Sequence, residues 1–230
     1  MKNTRLVLSI LALVLSSSIA LRAADKKFMP LFPEDGIPKG WSVRNWDDVA
    51  NPAKEGVVWK VEKGVLNGSE PRGTWLVSDK EYGDFEIEFE WKLGQRGNSG
   101  FGMRFPSKGD PAFDGMELQM ADVRYNPEAK DSELTGGLYR AIAPTKQIYK
   151  PTEWNKYHVT LKGNHIKVVL NDTVIQDLDL DKQNQEVKRH NGESAPPIKD
   201  RPHRGHIGFQ ELSRGGDHVL IRNAKIKVLD

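Results

Sequence analysis

The segment Phe85–Leu93, FEIEFEWKL, constrains the fold of this chain more than any other. Phe85, Ile87, Phe89 and Trp91 alternate there with Glu86, Glu88, Glu90 and Lys92. A period of two sends every apolar side chain to one face of an extended strand and every charge to the other. The same alternation recurs, less strictly, in Val57–Leu66, Thr74–Ser78, Trp154–Leu161, Asn164–Leu170, Thr173–Leu178, Gly205–Glu211 and His218–Val228. Turn residues separate these runs, among them Lys63-Gly64, Gly163-Asn164 and Asn171-Asp172. No long stretch keeps the 3.6-residue period of an amphipathic helix, and there is no fixed repeat or heptad. The pattern predicts an all-β chain of roughly a dozen short strands, closed into a two-sheet antiparallel β-sandwich.

The stretch Asn98–Asp122 reads as a hairpin around a Pro/Gly-rich middle. In its first arm Phe101, Met103 and Phe105 should face the core, with Gly100, Gly102 and Arg104 opposite. In its second, Met116, Leu118 and Met120 face the core, so Glu117 and Gln119 emerge from the other side. Gly205–Glu211 repeats the scheme: Ile207 and Phe209 inward, His206, Gly208 and Gln210 outward. If these strands share a sheet, Arg104, Glu117, Gln119, His206 and Gln210 converge on its concave face, with Asp122 nearby. Guanidinium, carboxylate and amide groups make directional hydrogen bonds to sugar hydroxyls, and Tyr139 or Trp154 would stack on a ring face. The competing expectation is a plain solvated face, which antiparallel sheets commonly have. Val123–Glu133 should be a loop beside this floor, and Asp181–Arg204 a polar surface excursion.

Residues 1–23 carry Lys2 and Arg5, the apolar run Leu6–Leu15, and small residues before a cut after Ala20 or Ala23. This is the layout of a secretory signal peptide, too quickly polar to span a bilayer. It leaves 24–230 as a single domain, exported to a periplasm or the cell exterior, with no membrane span after cleavage. Loss of Lys2 and Arg5 takes the formal charge from +2 to zero, and a cut after Ala23, which also removes Arg22, takes it to −1, so nothing draws the protein to nucleic acid. Without cysteine there is no disulfide and no thiolate chemistry. The six histidines lack zinc-site spacing, and neither a phosphate-cradling glycine loop nor a nucleophile elbow occurs. No cofactor is expected, although a divalent cation held by carboxylates remains open. The expected partner is a small carbohydrate.

Glu117–Asp122 is similar to the E-x-D-x-x-E strand of sandwich-fold β-glucanases, but Gln119 and Asp122 replace the middle Asp and last Glu. The retaining carboxylate pair is therefore not secured. A broader likeness covers nearly the whole mature chain. It runs through Gly40-Trp41, W-x-V-E-x-G-V-L at Trp59–Leu66, YGDFE at Tyr82–Glu86, GNSGFGMR at Gly97–Arg104 and GMELQM at Gly115–Met120. It continues through TGGLYRAIAP at Thr135–Pro144, Glu153–Asn155, Leu170–Val174, GHIGFQ at Gly205–Gln210 and I-R-N-A-K-I at Ile221–Ile226. In these motifs the sequence resembles the 3-keto-disaccharide hydrolase domain family, exported bacterial proteins with a concanavalin-like jelly roll. Where relatives often have a short D-H-G turn, this chain has Glu211–Asp217.

The resemblance implies cleavage of the glycosidic bond of 3-keto-disaccharides or 3-keto-glycosides. A ketone at carbon 3 acidifies the carbon-2 proton, so a base can form an enolate that expels the group on carbon 1 before water adds. Under that expectation Glu117 is base or acid, Arg104 and His206 support the oxyanion or move protons, and Gln119 and Gln210 bind hydroxyls. The alternatives are a non-catalytic carbohydrate-binding sandwich and a retaining glucanase-like glycosidase.

Overall fold

The computed structural model describes residues 27–215 and 217–230, so the expected signal segment lies outside the described residues. In chain order the strands are β1 (Met29–Pro30), β2 (Trp41–Asn45), β3 (Lys60–Glu62), β4 (Val65–Asn67), β5 (Thr74–Tyr82), β6 (Phe85–Lys92), β7 (Asn98–Phe105) and β8 (Met116–Ala121). They continue as β9 (Asn155–Lys162), β10 (His165–Leu170), β11 (Thr173–Asp179), β12 (Val187–Lys188), β13 (Ser194–Ala195), β14 (Gly205–Glu211) and β15 (Leu220–Val228). A single-turn helix, α1 (Pro111–Asp114), interrupts the β7–β8 hairpin. Its start is fixed by Asp110 Oδ1 accepting Ala112 N at 3.0 Å, with Pro111 supplying a helical φ at the first position.

Eight strands form a large sheet in the order β11-β10-β9-β6-β15-β4-β3, with β1 added on β15. Five form a second sheet, β2-β5-β14-β7-β8. Neighbours in both run antiparallel, giving the two-sheet jelly-roll sandwich that the alternation predicts. Between the sheets the rings of Phe89, Phe101 and Phe209 pack with centroids 5.2–5.3 Å apart. Trp91 stacks on Tyr157 at 5.4 Å.

The outer faces of the two sheets differ, and this difference creates the site. On the large sheet the outward glutamates of β6 meet cations of neighbouring strands: Glu86 with Lys227, Glu88 with Lys156 and Lys225, Glu90 with Arg222. That face is solvated. On the smaller sheet every residue of β7 and β8 is buried, on both faces, so its outer face is covered. The covering comes from α1 and from the stretch expected to be a surface excursion. Residues 181–204 instead fold over the sheet, with β12 and β13 pairing only with each other and Val187, Ala195 and Phe113 forming a small apolar cluster. Buried Arg201 buckles the layer down, donating to Ala112 O, Gly115 O and Pro196 O at 2.8–3.0 Å.

A bulge corrects the expected facing of Arg104. Gly208 pairs with Gly102 and His206 with Phe105, so Met103 and Arg104 of β7 oppose Ile207 alone, with Arg104 at φ +50°. Such a bulge resets the alternation. Phe105 turns to the outer face, where it packs with Trp75, Val77 and Val49. The Arg104 guanidinium crosses the end of the sandwich to Gly83 O (2.8 Å), Gly163 O (2.9 Å) and Asp84 Oδ1 (2.9 Å). It ties the β5–β6 crossover between the sheets and the β9–β10 turn of the large sheet to β7 of the smaller one.

Candidate active-site cleft

A cleft of about 530 Å³ lies on the covered outer face of the smaller sheet. Its floor is Asn98 from β7, Glu117 and Gln119 from β8, and Gln210 from β14. One wall is Asp110, Ala112 and Tyr139; the other carries Asp122 and Tyr125, and Trp46, His190, Arg72 and Arg214 stand around the opening.

Glu117 is 2 % exposed, and no described residue donates to its Oε1. Asn98 Oδ1 on the same floor is likewise unpartnered. Buried acceptors without donors are rare and call for an explanation; both belong to side chains that line one cleft. Burial, reinforced by nearby Asp110, pushes the Glu117 carboxyl well above the ordinary carboxylate range. Asp110 is raised to about 7, chiefly by burial and further by the charge of Asp114, against the lowering bond from Ala112 N. Two acids of the cleft thus hold protons far above their usual range.

The other two carboxylates behave oppositely. Burial raises Asp122, but the bidentate Arg124 contacts at 2.6 and 2.7 Å outweigh it and hold it below its usual value. Glu133 is also raised by burial and lowered more by Lys130 N and Arg140, whose Nε lies 2.7 Å away. Tyr139 is placed by its N–H donating to Glu117 O at 2.9 Å. Burial first and the Glu117 charge second push its phenol upward. Gln119 Oε1 accepts Met120 N at 2.9 Å, which leaves its amide nitrogen for the cleft.

His190 sits in the tip between β12 and β13, within 5.3–5.9 Å of the rings of Phe113, Tyr139 and Trp46. The tip is fixed by Arg189, which pairs with Asp114 at 2.5 and 3.0 Å. Burial, then the charge of Arg140, holds His190 below the usual imidazole value, and neither ring nitrogen has a hydrogen-bond partner among the described residues.

Gly100 is where backbone and site meet. A Cβ there would collide with the Glu117 carboxyl. The space above the two glycines of β7 is therefore occupied: Glu117 lies over Gly100, and the Phe105 ring over Gly102. Because the collision involves the end of a flexible side chain, Gly100→Ala should keep the fold by circular dichroism. It should displace the carboxyl and lower turnover by at least about tenfold.

The structure brings together Glu117, Gln119, Gln210, Asp122 and Tyr139. It separates the other three expected residues. Arg104 is turned away by the bulge. His206 points to the far end of the strand, its Nδ1 donating to Ser78 O at 2.7 Å and its ring against Phe105. Trp154 precedes β9 and belongs to the large sheet, where the Arg222 guanidinium lies 4.0 Å over its ring. The cleft also holds Asp110, His190, Trp46 and Asn98, which sequence reasoning passed over. Asp110-Pro111 after Gly109 is a helix-start signature that could have been read; His190, in an aperiodic polar stretch, gave no signal. No group of three or more His, Asp or Glu able to hold a metal ion occurs among the described residues, and no helix among them is long and apolar enough to cross a membrane.

A jelly-roll sandwich with a sugar-sized, acid-floored cleft on its smaller sheet is the architecture of a carbohydrate-active protein. The chain belongs to the 3-keto-alpha-glucoside-1,2-lyase-like domain family, whose model matches residues 27–227. It is 28% identical over 226 residues to the 3-keto-disaccharide hydrolase of Bacteroides thetaiotaomicron, across 83% of this chain and 75% of that protein. Two crystal structures of putative glycosyl hydrolases from Parabacteroides distasonis superpose on it. One has a TM-score of 0.70 at 26% identity, covering 88% of this chain and 100% of that one. The other has a TM-score of 0.65 at 27% identity, covering 85% and 91%.

Proposed function

We propose that this protein is an exported enzyme that cleaves the glycosidic bond of 3-keto-disaccharides or 3-keto-glycosides by elimination followed by hydration. The observation that carries this reading is the Glu117 carboxyl buried on the cleft floor, with no donor to its Oε1 among the described residues and pushed by burial well above the ordinary carboxylate range. A base removes the carbon-2 proton, the electrons form the enolate of the carbon-3 ketone, and the carbon-1–oxygen bond breaks with the leaving oxygen taking up a proton. Water then adds across the resulting carbon-1–carbon-2 double bond. One base and one acid suffice, so a retaining carboxylate pair is not required.

The residues divide these tasks by their protonation. Glu117, kept neutral by burial, donates to the enolate or departing oxygen. His190, kept neutral by its low value, accepts the carbon-2 proton. Gln119, Gln210 and Asn98 hold hydroxyls, and Trp46 and Tyr139 flank the ring.

The test is product analysis with 3-keto and unoxidised disaccharides, with and without chelator. Monosaccharide release from the oxidised substrate alone supports the reading. Release from the unoxidised one makes the protein an ordinary glycosidase, and binding without release makes it a carbohydrate-binding sandwich.

The pH profile follows from the same groups. Turnover should rise as pH climbs through the depressed His190 value and fall above about 7, where Asp110 ionises beside the developing enolate. Asp110→Asn should move the falling limb upward, which a kcat–pH series reads directly.

A further inference from the structure

The charges of the cleft do not cancel. Asp122 is matched by Arg124 and Glu133 by Arg140, while burial disfavours the charged forms of Glu117 and Asp110 at the other end. At the Tyr125 end, Arg72 and Arg214 line the opening, and neither has a carboxylate partner among the described residues. Both guanidiniums are seated on one phenol. Arg72 Nη2 donates to Tyr125 Oη at 3.0 Å, and the Arg214 guanidinium lies 4.3 Å from the Tyr125 ring centroid. Tyr125 is itself fixed to the floor strand, its N–H donating to Asp122 O at 2.8 Å.

Three separate loops, after β4, β8 and β14, thus converge to hold two like charges on one ring with no acid between them. Such an arrangement is self-repulsive until an anion joins it. By contrast, the outward charges of the large sheet are neutralised within the chain. A guanidinium presents a planar fork that fits a carboxylate or sulfate oxygen pair, and an aromatic between two such forks fixes their orientation. The cleft volume accommodates a second ring beyond the one over Glu117.

We propose that Arg72, Tyr125 and Arg214 form the subsite for the departing group, and that this group carries a fixed negative charge, a carboxylate or a sulfate ester. The assignment rests on the proposed function for its catalytic sense, but the recognition it claims is testable without turnover. Titration calorimetry of the whole protein with methyl glucuronide, methyl glucoside 6-sulfate and methyl glucoside separates the cases. At least one anion should bind about tenfold or more tightly than the neutral glycoside, and the advantage should shrink with added salt. The tighter of the two anions identifies the source. Arg72→Gln and Arg214→Gln should each reduce the ratio, and the double variant should bring it close to unity. For 3-keto-disaccharides with hexuronate and hexose leaving groups, the ratio of kcat/KM should follow the same order. Equal binding of all three glycosides by the wild type overturns the subsite. So does an anion preference that survives in the double variant. Anion binding without ketone-dependent turnover would leave the subsite standing and remove only the catalytic reading.

Discussion

Glu117→Gln is expected to lower kcat on a 3-keto-disaccharide by about a thousandfold, the range lost when a positioned acid is removed, while stabilising the fold at high pH. The sign follows from the raised carboxyl of the wild type. Its folded-state value lies above its unfolded one, so below the ordinary carboxylate range both states are protonated and the side chain costs nothing. As pH rises past that range the unfolded state ionises freely and the native state resists, so wild-type stability falls until the folded value is passed. Glutamine has no such penalty. Thermal midpoints of wild type and variant should coincide near pH 4 and diverge by several degrees at pH 8, where relief of about 1–3 kcal/mol is expected. Full turnover in the variant would remove Glu117 from the chemistry. Midpoints that stay together at pH 8 would show that the carboxyl is not held protonated.

Arg104→Gln is expected to do the reverse, costing stability rather than chemistry. The guanidinium is 1 % exposed and satisfies two carbonyl oxygens and the Asp84 carboxylate at once. Asp84 retains solvent contact and the Gly163 N–H at 2.8 Å, so the loss falls short of that for a wholly enclosed ion pair. About 2–4 kcal/mol is expected, read as a drop in urea midpoint at unchanged slope. Folded variant should retain kcat within a few-fold. A thousandfold loss of kcat in fully folded Arg104→Gln would return this residue to the active site.

The frame was legible in the sequence because its physics is local. Strict alternation in β6 places four aromatic or branched side chains inward wherever its partners lie. The glycine and Asn-Asp turns fix the β9–β11 meander in the same way. Three of the four floor residues were legible for that reason too: Glu117, Gln119 and Gln210 precede or avoid any break in phase. Arg104 was misplaced because the bulge opposite Ile207 makes two residues oppose one, a tertiary adjustment that a count of two cannot register, whereas His206 keeps its outward phase beside Phe105 but lies at the far end of β14 from Gln210. His190 was invisible for a different reason. Its stretch lacks any period, and it reaches the cleft only because Arg189 and Arg201 bind α1, contacts between residues 75–89 positions apart.

The β12–β13 hairpin pairs with neither main sheet and is held by its small apolar cluster with Phe113 and by a few arginine contacts. Its sequence is thus uncoupled from the pairing register that the jelly roll must preserve. Exchanging this one ribbon between relatives, with the imidazole at position 190 retained, offers a route to retooled substrate preference on an unaltered scaffold, with the Glu117 floor left in place beneath it.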